Sequence, residues 1–319
     1  MRAIVFDKAL SYSESYRDPQ PGADEALLKV HLAGICSTDV QITRGYMNFR
    51  GVLGHEFVAT VVSGSKAWRG KRVVCEINRV CRRCDLCQAG LSTHCRKRTV
   101  LGIAGHDGCF ADFVTAPELN LHELPAAVSD EEGVFVEPLA AAYQVVKQCP
   151  IERRMSVAVV GSGKLGLLVA QVLNATGCKL IVVGRNPDTM LFCEKKQIQA
   201  VAVGDLVARQ DQDVVVECTG APAGLEVAMR LVRPRGTIVL KSTHAGQDGV
   251  NLSAAVVNEV TLLGSRCGPF GEAINALARK QIDVSGMVSR TYRIERGVEA
   301  FAAAQQPGVI KVLLKVNPR

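Results

Sequence analysis

The rhythm of hydrophobic positions changes near residue 140. Before it, short apolar and β-branched runs (Ala26 to Leu32, Phe57 to Val62, Arg72 to Glu76, Phe110 to Thr115) are broken by glycine and proline and predict a mostly β region. After it, strand, glycine turn and helix follow one another in SVAVVGSGKLGLLVAQVLNATG, KLIVVGR, DVVVECTG and TIVLKST, which predicts a parallel, doubly wound sheet. The alternation stops near Gly264, and the tail from Ser265 to Arg319 offers one helix around Glu272 to Lys280 and a last strand, VIKVLLKV. The expected organisation is an α/β chain with a first domain over 1–139, a doubly wound domain over 140–264, and a return of 265–319 to the first domain.

At 319 residues and 48% hydrophobic content the chain has enough apolar material for about two domains. The apolar run in MRAIVFDKAL is too short for a signal sequence or a membrane span, so a cytoplasmic protein with no membrane partner is expected. The net charge of +7 is spread along the chain, which argues against a nucleic-acid partner. Of the 12 cysteines, Cys81, Cys84, Cys87 and Cys95 stand in the pattern C-x2-C-x2-C-x7-C. Four thiolates at that spacing can close one tetrahedral Zn²⁺ site and leave no open coordination place, so residues 76–98 are expected to form a structural zinc lobe. Arg82, Arg83, Arg96, Lys97 and Arg98 would offset its negative charge.

Gly161, Gly163 and Gly166 form G-x-G-x-x-G between the strand VAVV and the helix LGLLVAQVL, with Lys164 and Leu165 ahead of the third glycine. In that context the glycines allow a tight turn and close approach of backbone amides to a pyrophosphate. About twenty residues on, where an acidic residue binds the ribose hydroxyls of NAD, stand Gly184 and Arg185. A guanidinium there favours NADP(H) over NAD(H), a surface arginine being the alternative.

Cys36 in GICSTD, His55 and Glu56 in GHEF, and Glu137 in VEPLAAA supply other ligand types. Each alone reads as a core thiol, a core histidine or a helix-start carboxylate. Their order around the Cys₄ lobe and ahead of the glycine motif resembles the zinc-dependent medium-chain alcohol dehydrogenases, in particular the sorbitol, threonine and glucose dehydrogenase branch, which has GHEF and VEPL in these places. The resemblance implies a GroES-like, mostly β catalytic domain with a Rossmann cofactor domain. It also implies two Zn²⁺ per chain, a catalytic one held by Cys36, His55 and a carboxylate; Glu56 and Glu137 both stand as candidates. Thr38 matches the family's proton-passing hydroxyl, whereas Gln41 replaces a histidine that several relatives place further out. Asp39 reads as an orienting carboxylate rather than a base. In chains that this one resembles, the turn at the end of DVVVECTG, here at Thr219, touches the cofactor.

An open Zn²⁺ acts as a Lewis acid on an alcohol or carbonyl oxygen, so the expected activity is hydride transfer between a secondary alcohol or polyol, or its ketone, and NADP(H). Alternatives are an NAD-dependent threonine-like, aldehyde or aryl-alcohol dehydrogenase, and, from another class, a catalytically silent dinucleotide-binding protein. The family also implies a homodimer or homotetramer.

Overall fold

The computed structural model describes residues 1–243 and 251–318. The chain forms two compact units, one of Met1–Glu137, Ala273–Ala278 and Met287–Arg319, the other of Pro138–Glu272 and Arg279–Gly286.

The first unit is built on β1 (Glu25–Gly34), whose second half is buried on both faces. After β1 come α1 (Ser37–Thr43), β2 (Glu56–Ser63), β3 (Arg72–Cys75), β4 (Phe113–Pro117) and β5 (Leu121–Glu123). β1 pairs antiparallel with β2, placing Gly34 opposite Glu56, and with β4. The predicted Phe110 to Thr115 strand starts later than expected. Phe110 is fully buried, meets the Phe301 ring edge-on at 5.8 Å, and its carbonyl accepts from Ile4 N at 2.8 Å, so its backbone serves the N-terminal strand instead.

α2 (Val136–Gln148) spans the changeover between units. The second unit contains β6 (Ser156–Val160), α3 (Lys164–Asn174), β7 (Lys179–Gly184), α4 (Pro187–Lys195), β8 (Gln199–Ala202), β9 (Gln212–Glu217), β10 (Val232–Leu240) and β11 (Thr261–Gly264). The strands form one six-stranded sheet in the order β8-β7-β6-β9-β10-β11, every pair parallel. Buried valines, Val157, Val159, Val182, Val214 and Val216, explain why these strands read as continuous apolar runs. The order reverses between β6 and β9, which opens the crevice at the carboxyl ends where such sheets take ligands.

After Gly264 the chain does not leave in one piece, since 265–272 and 279–286 stay with the second unit. The ladder and two polar contacts hold them: Ser265 N donates to Leu240 O at 3.0 Å, Asp283 N donates to Gln171 Oε1 at 3.0 Å, and Lys196 pairs with Asp283. The last strands, β12 (Val288–Arg293) and β13 (Lys311–Lys315), belong to the first unit, where β13 pairs with β1 so that Leu313 faces Gly34.

Candidate metal centres and dinucleotide site

Cys36 ends the extended run of β1 and is the N-cap of α1. Asp39, three residues into the helix, accepts from Cys36 N at 2.7 Å, the reciprocal arrangement that satisfies a helix start. Its other oxygen accepts from Gly54 N at 3.2 Å and lies 3.2 Å from His55 Nδ1, off the line of a hydrogen bond. One fully buried carboxylate thereby fixes the Cys36 backbone, the GHEF turn and one edge of the His55 ring. The Cys36 Sγ, a His55 ring nitrogen and a Glu56 oxygen all lie within 4.8 Å of one another. Burial alone would depress the His55 pKa, but Asp39 and Cys36 raise it well above the ordinary value, so the site already favours positive charge.

Glu56 opens β2, and its Oε2 accepts from Lys311 Nζ with both side chains wholly buried. Lys311 is the first residue of β13, and its ammonium also stands 5.5 Å from the Phe135 ring centroid. Burial works against its charge, yet Glu56, Cys36 and Glu137 hold the pKa above the usual lysine value. The other carboxylate oxygen, Glu56 Oε1, is buried without a hydrogen-bond partner. A buried acceptor left empty costs roughly 1–3 kcal/mol, and a cation shared with Cys36 and His55 would remove that cost. One thiolate, one imidazole and one carboxylate form a donor set that suits Zn²⁺ with an open position. Glu137, in the first turn of α2, is half-buried and falls outside this group of three, although its charge is felt at Lys311. Thr38 Oγ1 is 3.7 Å from Cys36 Sγ, and Gln41 lies half-buried on the same helix.

Cys81, Cys84, Cys87 and Cys95 also come together, their sulfurs within 4.8 Å of one another. Cys95 Sγ is 3.5 Å from Cys81 Sγ and 3.8 Å from Cys84 Sγ, and accepts from the backbone N–H of Cys81 and Lys97, both at 3.3 Å. The N–H groups of Arg96 and Cys87 draw the Cys84 thiol down to about 6, and that of Arg83 lowers Cys81. Amides aimed at sulfur favour thiolate, the form a metal needs. Arg96 grips Asp85 through two bonds of 2.8 and 2.7 Å, tying the two ends of the lobe.

In the second unit the glycine turn follows β6 and leads into α3, with Gly163 as N-cap. Gly161 has φ +108°, and a Cβ on Gly166 would stand 1.8 Å from Gly161 O, so both positions require glycine. A Cβ on Gly163 would meet nothing within 4 Å, leaving open space in front of the helix N-terminus, as an incoming phosphate needs. Lys164 and Leu165 are half-buried in the first turn. Arg185 is exposed just beyond β7, next to Asn186, which caps α4 through Asp188 N at 2.8 Å. Thr219 is exposed, and Glu217 Oε1 accepts from its N–H at 2.6 Å and its hydroxyl at 2.5 Å.

Comparison with known proteins fits this arrangement. Residues 22–126 match the family described as Alcohol dehydrogenase GroES-like domain, and residues 165–282 match Zinc-binding dehydrogenase. The 2-dehydro-3-deoxy-L-galactonate 5-dehydrogenase of Pseudoalteromonas atlantica is 30% identical over 318 residues, covering 93% of each chain. The chain belongs to the zinc-dependent medium-chain alcohol dehydrogenases. It is an NAD(P)-dependent oxidoreductase acting on CH–OH groups, and the expected GroES-like and Rossmann folds are both present. The dehydrogenase is also 29% identical to the sorbitol dehydrogenase of Halalkalibacterium halodurans over 320 residues, 93% of each chain. A zinc-binding dehydrogenase of Sinorhizobium meliloti solved with NADP superposes with a TM-score of 0.88 at 28% identity, covering 99% of each chain. Among the described residues of the dehydrogenase, no helix is long and apolar enough to cross a membrane.

Two residues that pack against Glu56 are not singled out by the sequence motifs. Lys311 lies within the predicted strand VIKVLLKV, where a charged residue inside the apolar run is itself a signal. Gly34 leaves room for the ion pair: a Cβ there would lie 2.9 Å from Glu56 Oε2 and 3.3 Å from Lys311 Cδ.

Proposed function

We propose that the protein interconverts a secondary alcohol or polyol with its ketone, using NADP(H) in preference to NAD(H), with one catalytic and one structural Zn²⁺ per chain. The observation that carries the catalytic reading is the buried, partnerless Oε1 of Glu56, a side chain whose carboxylate has an oxygen within 4.8 Å of Cys36 Sγ and a His55 ring nitrogen. Cys36, His55 and Glu56 would hold the catalytic ion directly, with Glu137 next to them. When bound, Zn²⁺ supplies Lewis acidity toward the substrate oxygen and so favours hydride exchange with the nicotinamide.

The residues have separate tasks. Asp39 keeps His55 oriented from behind, leaving its other nitrogen for the cation. Lys311 fixes the Glu56 carboxylate and holds one of its oxygens out of competition. Thr38, beside Cys36, would accept the alcohol proton and pass it on; Gln41 cannot titrate near neutral pH, so the proton leaves through water. Gly161, Gly163, Lys164, Leu165 and Gly166 would seat the pyrophosphate, with Thr219 at the neighbouring turn. The guanidinium of Arg185, exposed in the free protein, would meet a 2′-phosphate through a charge-assisted contact worth about ten- to a hundredfold in preference if the bound cofactor partly shields it from solvent.

The polyol reading is supported by the sorbitol dehydrogenase relative, and the NADP reading by Arg185 and the NADP-bound neighbour. The expected assembly is a dimer or tetramer, which light scattering reads directly.

The test is zinc content per chain together with turnover of a panel of polyols, amino alcohols, aryl alcohols and their carbonyl partners with both cofactors. About two Zn²⁺ and faster turnover with NADP(H) are expected, with Cys36→Ala losing one ion and all turnover. Full activity in Cys36→Ala would overturn the catalytic assignment. Equal or better turnover with NAD(H), unchanged by Arg185→Ala, would overturn the cofactor preference.

A further inference from the structure

In the second unit, a row of residues runs just beyond the carboxyl ends of the parallel strands. Val160 is in register with Glu217, Glu217 with Leu240, and Leu240 with Gly264. The ladder continues one residue further: Cys218 N donates to Val160 O at 2.8 Å, Lys241 N to Glu217 O at 2.9 Å, and Ser265 N to Leu240 O at 3.0 Å. Gly161, Cys218, Lys241 and Ser265 therefore stand side by side along the edge. Gly161 begins the dinucleotide turn and packs against Cys218, whose carbonyl carbon would lie 3.0 Å from a Cβ at that position.

Lys241 is unusual in this row because it brings a charge and keeps it inside. Only 9% of the residue is exposed, and Nζ donates to Ser265 Oγ at 3.3 Å. Its charge is also felt at Cys218, where burial raises the thiol pKa and Lys241 lowers it. A lysine at the rim of a sheet ordinarily extends its stem and puts the ammonium in water. Here the ammonium is held at Ser265, just past β11, in the half of the sheet formed by β9, β10 and β11, on the opposite side of the topological switch from Arg185 and β7. A dinucleotide lies across both halves of such a sheet. With the adenosine end at Arg185 and the pyrophosphate at the glycine turn, the nicotinamide-ribose end falls to the half that carries Lys241.

This step rests on the reading that the second unit binds a nicotinamide dinucleotide. We infer that Lys241 is a cofactor-binding residue for the nicotinamide-ribose half, donating a hydrogen bond to a neutral oxygen there, either a ribose hydroxyl or the carboxamide oxygen. An ammonium fits both acceptors, and truncated ligands separate them.

The experiment is calorimetric titration of the wild type and of Lys241→Met, Lys241→Gln and Lys241→Arg with NADPH, NADH, ADP-ribose and 2′,5′-ADP, each variant first checked by thermal melting. Lys241→Met and Lys241→Gln are expected to weaken both dinucleotides by about tenfold or more, while 2′,5′-ADP stays within about twofold and Lys241→Arg recovers most of the loss. Weaker ADP-ribose binding would place the contact on the ribose, and unchanged ADP-ribose binding on the carboxamide. Dinucleotide binding unchanged in folded Lys241→Met and Lys241→Gln, or 2′,5′-ADP weakened as much as NADPH, would overturn the assignment while leaving the dinucleotide reading intact. A wild type that binds neither dinucleotide would overturn both.

Discussion

Lys311 and Glu56 form an ion pair with no exposed surface on either side chain, and the pair occupies only one of the two Glu56 oxygens. Lys311 thus neutralises the carboxylate and leaves Oε1 without a hydrogen-bond partner. Removing one partner of a buried pair leaves the other charge uncompensated, at a cost of about 3–5 kcal/mol. Lys311→Met is expected to lose about that much in urea unfolding, and Lys311→Met with Glu56→Gln to lose less than Lys311→Met alone. A single-variant loss below about 1 kcal/mol would show that the pair is not held as described.

Gly34 supplies the space that this pair needs. Besides its approach to Glu56 and Lys311, an added Cβ would stand 2.6 Å from Val134 Cγ1. Gly34→Ala is therefore expected to cost about 1–3 kcal/mol by overpacking. Gly163→Ala, whose Cβ meets nothing, is the control, with a stability change within about 0.5 kcal/mol. Equal melting temperatures for the two variants would refute the crowding argument.

The two glycines also mark what could be read in the sequence. Gly161, Gly163 and Gly166 announce themselves because their spacing is local, lying between one strand and the next helix. The four lobe cysteines are legible for the same reason. Gly34 and Lys311 are 277 residues apart by their numbers and meet only because β13 pairs with β1, so no local pattern links them. Glu56 and Glu137 both stand as possible ligands in the sequence; in the structure the group within 4.8 Å of one another is Cys36, His55 and Glu56. The tail was legible as elements but not in its path, because single contacts at Ser265 and Asp283 fix where it stays.

Asp39 would bear on a bound metal ion without belonging to the group that would touch it. Asp39→Asn keeps the size of the side chain, but removes the charge that holds His55 and replaces one acceptor with a donor facing Cys36 N or Gly54 N. Loss of such an orienting partner typically costs about 10–100-fold in metal affinity. Competition with a chromogenic chelator should show that loss for one ion per chain and leave the other unchanged. Unaltered affinity for both ions would remove Asp39 from the centre.

If both groups hold Zn²⁺ as proposed, the cysteine lobe and the Cys36–His55–Glu56 group should come apart under mutation, because they share no residue. Cys95 Sγ accepts from two backbone N–H groups and stands 3.5 and 3.8 Å from two other sulfurs, so Cys95→Ser removes one of the lobe's four sulfur donors. That variant is expected to retain the ion at Cys36, His55 and Glu56 but to lose the lobe ion, exposing the segment around 76–98 to limited proteolysis. Cys36→Ser should do the converse, losing the other ion while its lobe stays resistant to the protease. Metal content and cleavage pattern, read on the same samples, distinguish independent sites from a single cooperative one. Loss of both ions in Cys95→Ser would mean that the lobe stabilises the catalytic centre as well as its own loop.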